Sequence, residues 1–293
     1  MRRSSSALFL VAAAIGATAC ARPGGGAGRT ERVVCVSKQI NEFMFAIGAQ
    51  DLLVGRDLTS IYPPAITKIT SVGYHRALNA EGIISLRPTV FLNDGNYGPD
   101  EVKTQLQKVG IPILTLNPGT TLDGAESLLD TLGTRFNRRA AADSVLAAWK
   151  AGMDSIYRDT LQWAGKPRPR VLIMHFGQLV NDYLALKRGG VADHILDWAG
   201  GVNAVDSVGG MMRLTPELIA KIAPDVIIAT DVGFDRFGSA QKFATMPGVS
   251  LTPAGRHGRI YRIEETDVMY FGPRTPAAVR RMAGFLHPSP PAR

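Results

Sequence analysis

The sequence predicts an α/β protein built as two doubly wound lobes joined by one long helix. Three observations predict it. First, a block of residues recurs at a single offset of 136: Leu78, Glu81, Ile83, Leu86, Pro88 and Val90-Phe91-Leu92 return as Leu214, Glu217, Ile219, Ile222, Pro224 and Val226-Ile227-Ile228. Each copy reads as a short helix closed at a proline and followed by an apolar run of strand length, the step from helix to buried strand of such a sheet. Second, apolar runs of this kind alternate with amphipathic stretches on both sides of the chain's middle. Third, the middle itself, residues 123–165, carries no strand signal.

In chain order, Met1-Arg2-Arg3 and three serines precede the apolar run from Ala7 to Ala19, and Cys20 follows. A basic start, a short apolar core and Ala17-Thr18-Ala19 before the cut read as an export signal over residues 1–20, too short to span a bilayer comfortably. Cys20 is the residue that lipoprotein processing acylates, although Ala-Thr-Ala also suits an ordinary signal peptidase. Residues 21–31, rich in glycine, read as a tether.

The first lobe is expected over residues 32–122. Val33–Val36 reads as its first strand, Asn41–Ile47 as an amphipathic helix ended by Gly48, and Leu52–Val54 as a second strand. Residues 57–70, with Pro63-Pro64, are loop-like; strands over 89–92 and 111–116 bracket a helix over 100–109. Residues 123–166 read as connecting helices, a short one and then a long one from about 138 to 163. In the long helix Val145, Trp149, Met153, Ile156 and Thr160-Leu161 form one apolar stripe. Such a helix reaches ~39 Å at 1.5 Å per residue, a stiff strut between lobes.

The second lobe, 167–293, opens with Val171–Met174. Helices over 191–199 and 215–222 alternate with strands over 202–205, 226–229 and 260–263, and a last helix covers Pro276–Leu286, so the second lobe is expected to mirror the first. The loops before the two repeat copies differ: Gly73-Tyr74-His75-Arg76 in one and Gly209-Gly210-Met211-Met212 in the other. In a pseudo-symmetric pair they are expected to face each other across a cleft.

Composition narrows the function classes. The chain has 293 residues, 45% hydrophobic and 20% charged, as in a globular protein of two compact units. With Cys20 set aside, Cys35 is the one cysteine left, which excludes an internal disulfide; it sits in an apolar strand as a small buried thiol. The formal charge of +8 is spread along the chain, without the basic stripe and interleaved aromatics that nucleic acid demands. It is compatible with an anionic ligand. Phosphate-cradling, nucleophile-elbow and zinc-helix motifs are absent, and the five histidines show no paired metal spacing.

An exported, tethered, two-lobed protein with a stiff connection has the architecture of a solute-binding protein, and particular segments carry a resemblance. VVCVSKQINEFMFAIGAQDLLVGRD, SVGYHRALNAEGIISLRP, WAGGVNA, LTPAGRHGRIYRI and FGPRTP resemble the haemin-binding proteins of bacterial haem ABC importers, class III periplasmic binding proteins with a rigid interlobe helix. The resemblance runs over residues 32–288, and GYxRxLxAEG and FGPRTP are its most specific pieces. The strand and helix framework alone fits cobalamin and ferric-siderophore binders as well.

The resemblance implies that Tyr74 is an axial ligand of ferric haem; a phenolate is a hard anionic oxygen donor suited to Fe(III). Arg76 is placed to hydrogen-bond it. His175, at the end of the strand from Val171, is a candidate second ligand, and reads equally well as a satisfied histidine at a strand end. His75, Met211 and Met212 depart from the family pattern; the thioethers suit packing on a porphyrin. Arg274, Arg76 and Lys38 are candidates for the haem propionates, with the backbone N–H groups of Ser37–Gln39. Glu81 and Glu217 are the implied docking pair for a dimeric permease driven by ATPase subunits, and read also as carboxylates favoured at helix starts. The expected role is capture and delivery of ferric haem as transported ligand, with no catalytic cofactor, no catalysis, no nucleic acid, and membrane attachment through the lipid on Cys20. A haem-modifying enzyme on the same scaffold is the alternative from another class.

Overall fold

The computed structural model describes residues 31–178 and 180–288. The expected export signal, tether and Cys20 lie outside the described residues. Among those described, the first half runs β1 (Val33–Cys35), α1 (Lys38–Ala46), β2 (Leu53–Arg56), α2 (Ala80–Ser85), β3 (Val90–Asn93), α3 (Asp100–Lys108) and β4 (Ile113–Thr115), then α4 (Leu122–Arg135) and α5 (Arg139–Thr160). The second half runs β5 (Arg170–Gly177), β6 (Asp182–Leu186), α6 (Val191–Trp198), β7 (Val202–Asn203), β8 (Met211–Arg213), α7 (Pro216–Ile222), β9 (Val226–Thr230), α8 (Asp231–Asp235), α9 (Ala240–Ala244), α10 (Pro253–Arg256), β10 (Ile260–Ile263), α11 (Thr266–Met269) and α12 (Thr275–Leu286).

The first sheet is parallel, in the order β2-β1-β3-β4. The second runs β10-β9-β5-β6-β8, with β7 beside β5. The repeat is structural as well as sequential. Helices start at Ala80 and Pro216 and strands at Val90 and Val226. Asn79 caps one helix, accepting from Glu81 N at 2.7 Å, and Thr215 caps the other, accepting from Leu218 N at 3.2 Å. The residue before each proline, Arg87 and Ala223, is left-handed at φ 49° and 47°. Proline disfavours the right-handed helical conformation just ahead of it, so both copies stop at the same step.

The second lobe is not a mirror of the first. β6 runs antiparallel to β5, and β8 antiparallel to β6. The segments that carry these strands are flanked by Asn181, Gly189-Gly190 and Gly209-Gly210, which read as punctuation. The strands between them are short, and hairpin pairing makes them. Residues 57–70 also contain a 3₁₀ turn, Pro64–Lys68.

The α5 helix sets how the two lobes are held. Its 22 residues reach ~33 Å. Ala142, Trp149, Met153 and Ile156 are buried along it, whereas Leu161, expected in the stripe, is 73% exposed in the 3₁₀ turn that follows. One hydrophobic cluster runs without a break from Val33 and Leu92 of the first sheet, through Trp149 and Met153, to Ile173 and Ile228 of the second. Interiors packed like this transmit displacement rather than absorb it, so the lobes move together. At Gly152 α5 lies close to α12: a Cβ there would stand 2.8 Å from Pro276 Cγ. Gly152→Leu is therefore expected to cost about 1–3 kcal/mol in urea unfolding by overpacking. A variant as stable as the parent would show that the two helices have room to part.

Candidate functional site

Two adjoining cavities, about 480 and 650 Å³, lie between the lobes. Both fall in the range of small-molecule sites. They share Lys38, Thr59, Tyr74, Gln178 and Glu265, so Tyr74 stands on their common wall.

Tyr74 is carried by the loop between β2 and α2. Gly73, at φ +98°, supplies a backbone turn that a side chain would resist. Leu58 N donates to Gly73 O at 2.7 Å, Ala77 N to Tyr74 O at 2.8 Å and Gly98 N to His75 O at 2.9 Å, tying the loop on both flanks. Across the first cavity, His175 lies on β5 with Thr230 Oγ1 3.3 Å from its Nδ1. Burial holds its imidazole below the ordinary range, against an opposing pull from Glu265, so it is neutral and able to ligate at neutral pH. Met211 lines the same cavity, which brings the two expected loops together. Met212 does not: side chains alternate along β8, and this one packs on the core of the second lobe.

The cations divide differently from the expectation. Arg274 is not free for a propionate. Its Nε donates to Glu42 Oε2 at 3.0 Å and its Nη2 to Glu42 Oε1 at 2.6 Å and Thr266 Oγ1 at 2.7 Å, while Nη1 binds Asp267. Its guanidinium also lies 3.8 Å from the centre of the Tyr62 ring. Lys38 Nζ is 2.8 Å from Glu265 Oε1. That leaves Arg76, exposed on the first cavity, as the lining arginine or lysine without a carboxylate partner among the described residues. In the second cavity Asp231 is pushed up to about 6 by burial, aided by neighbouring Glu264 and opposed by backbone N–H bonds. Val36–Gln39 line the first cavity, where Ser37 caps α1.

Sequence reasoning missed several of these groups. Glu42, Gln178 and Glu265 had no signal beyond polarity. Asp57 had one: an aspartate with threonine and serine two and three residues on, the pattern of a side chain that caps its own loop. Glu81 and Glu217 lie away from the cavities, exposed in the first turns of α2 and α7. Glu217 is held below the ordinary carboxylate range by its own backbone N–H and by Thr215. No cluster of three or more His, Cys, Asp or Glu side chains suited to a metal ion occurs among the described residues, nor does a helix long and apolar enough to cross a membrane.

The family profile described as periplasmic binding protein matches residues 33–266. The fold is similar to the periplasmic heme-binding protein RhuT from Roseiflexus sp. RS-1 in apo form, with a TM-score of 0.79 and 29% identity over 88% of this chain and 98% of that one. In sequence the chain is 24% identical over 261 residues to the uncharacterized ABC transporter substrate-binding lipoprotein YvrC of Bacillus subtilis (strain 168), covering 88% of this chain and 80% of that protein. It is also 34% identical over 102 residues to the vitamin B12-binding protein of Yersinia pestis (strain Pestoides F), about a third of each chain: 35% of this one and 36% of that one. The resemblance read from the sequence motifs is borne out.

Arg274→Met leaves Glu42 and Asp267 without their shared cation and is expected to cost about 3–5 kcal/mol in chemical denaturation. Arg274→Lys should recover only part, because an ammonium cannot make the two-pronged bond to Glu42. A lysine variant as stable as the parent would show that the fork is irrelevant.

Proposed function

The chain belongs to the periplasmic binding protein family, and from that premise we propose that it captures ferric haem outside the cytoplasmic membrane and delivers it to an ABC permease. The observation that carries this reading is the setting of Tyr74. Its phenol stands on the wall common to both cavities, and neutral His175, carried by β5 of the other lobe, lines one of them. Among the described residues ten large hydrophobic side chains are exposed, and five of them, Leu58, Ile61, Tyr62, Val180 and Met211, line these cavities. A tyrosine oxygen donor in cavities that also expose large apolar side chains suits a flat iron macrocycle. The haem-binding likeness at 29% identity over nearly the whole of the similar chain supports it further.

In this reading Tyr74 holds the iron, His175 approaches from the opposite face, Met211 packs on the porphyrin and Arg76 meets a propionate at the exposed edge. The protein needs no chemistry of its own. Cys20 anchors it to the outer face of the membrane through lipid, and Glu81 and Glu217 present one carboxylate from each lobe to the permease.

A second reading, cobalamin, has an observation in its favour. Apart from Arg76 the lining lysine and arginines are compensated, and Gln39, Asn96, Asn117 and Gln178 put amides on the first cavity. Such a lining suits a macrocycle edged with neutral amides. Haemin titration of the purified protein should give a tyrosinate-type absorption spectrum that cobalamin does not displace, and Tyr74→Ala should change it. An identical spectrum in that variant would remove the ligand assignment; cobalamin binding with no haemin binding would move the conclusion to the second reading. For docking, Glu81→Ala combined with Glu217→Ala should abolish stimulation of the transporter ATPase and leave haem binding intact. Full stimulation by that double variant would refute the docking pair.

A further inference from the structure

Beside Tyr74 stands a histidine that the capture mechanism does not use. His75 lines the first cavity, and its Nδ1 is turned away toward the loop after β2, 3.4 Å from Thr59 Oγ1 and 3.7 Å from Asp57 Oδ2. Asp57 is only 1% exposed. It is bound by the hydroxyls of Thr59 and Ser60 and by Thr59 N at 2.9 Å. Burial pushes its carboxyl up, but bonds from His75, Ser60 and Thr59 outweigh that and hold it below the ordinary range, so it is ionised. Among the described residues no lysine or arginine pairs with it, and the His75 ring nitrogen is the basic group that faces it.

A buried carboxylate that engages one ring nitrogen of a histidine leaves the other as the donor, the arrangement that orients metal-ligating imidazoles generally. With Nδ1 spent on the loop, Nε2 is the nitrogen available to the cavity. The rings of Tyr74 and His75 have centres 4.6 Å apart at 60°. Donors on opposite faces of one iron already stand about 4 Å apart, at about 2 Å per bond, before half of each ring is added. Tyr74 and His75 therefore approach a macrocycle from the same face and compete for one axial position.

We propose that His75, oriented by Asp57 and Thr59, is an alternate axial donor to haem iron that takes the metal through Nε2 when Tyr74 does not hold it. The exchange swaps an iron–oxygen bond for an iron–nitrogen bond on one face: the phenolate leaves with its electron pair and takes a proton from solvent, the Nε2 lone pair fills the vacated position, and the iron stays ferric. A phenolate resists release of Fe(III), and a neutral nitrogen donor beside it offers the metal a weaker hold without leaving the face bare. The proposal rests on the haem reading above.

The test is haemin titration followed by absorption and resonance Raman spectra of the purified protein. In a His175→Ala background, which removes the donor expected on the opposite face, Tyr74→Phe should still bind haemin, more weakly than its parent, with an imidazole in place of the tyrosinate signature. In the same His175→Ala background, Tyr74→Phe with His75→Ala should lose that imidazole signature, and Tyr74→Phe with Asp57→Asn should weaken it. His75→Ala alone should keep the tyrosinate bands, which also shows that the loop remains folded. In the His175→Ala background, an imidazole signature in Tyr74→Phe that survives His75→Ala would overturn the assignment, as would a Tyr74→Phe protein with no nitrogen donor on iron. If the parent protein itself fails to change the haemin spectrum, the haem reading falls and this assignment with it, a result distinct from either of those.

Discussion

Glu42 sits on α1 almost wholly out of water, and a carboxylate in that position must be met by a cation or the fold does not hold. The cation is Arg274, 232 residues further along the chain and carried at the start of α12, the other side of the cleft. Tyr270 adds its hydroxyl to Glu42 at 2.6 Å, Gln39 Nε2 reaches Phe271 O at 2.8 Å, and Lys38 reaches Glu265. All these groups on the first-lobe side come from little more than one turn of a single helix. A polar seam thus joins the two lobes in addition to the hydrophobic one that passes through α5. Two seams of different chemistry fix one geometry.

That constraint decides how a ligand is received. Where lobes close around their ligand, part of the binding free energy goes into ordering the closed state. Here the walls are set beforehand, and preorganisation leaves more of each contact to appear as affinity. In the proposed delivery role, the outer faces bearing Glu81 and Glu217 would keep their separation, and a permease would tell loaded from empty protein at the cleft mouth and its loops rather than by a change in lobe spacing.

Much of this was legible in the sequence because it follows from periodicity. The helix starts at Ala80 and Pro216 and the strands at Val90 and Val226 follow from an apolar pattern closed by proline, and Tyr74 stands out because it lies in the GYxRxLxAEG segment that carries the resemblance. What stayed illegible depends on pairing across long separations. The Glu42–Arg274 pair leaves no local mark, so Arg274 looked like a free cation when its charge was already used. β6 and β8 are short and glycine-flanked, and only their neighbours make them strands. For Met211 and Met212 the difference between cavity and core is a matter of strand phase, which cannot be read until the strand itself is recognised.

The same bookkeeping of charge bears on how a dianionic macrocycle would sit. The first cavity sets Lys38 and Arg76 against Asp57, Asp94 and Glu265, so it offers no excess of positive charge in its depth. Burying both propionates there would strip their hydration with little in return. The apolar edge of such a ring would gain most from the interior, and the propionates would lose least beside exposed Arg76, which has no carboxylate partner among the described residues. In the proposed haem reading, the orientation that satisfies both terms would point the carboxylates outward past Arg76 and the iron inward to Tyr74, and the arginine would then guide entry as well as contact the bound ligand.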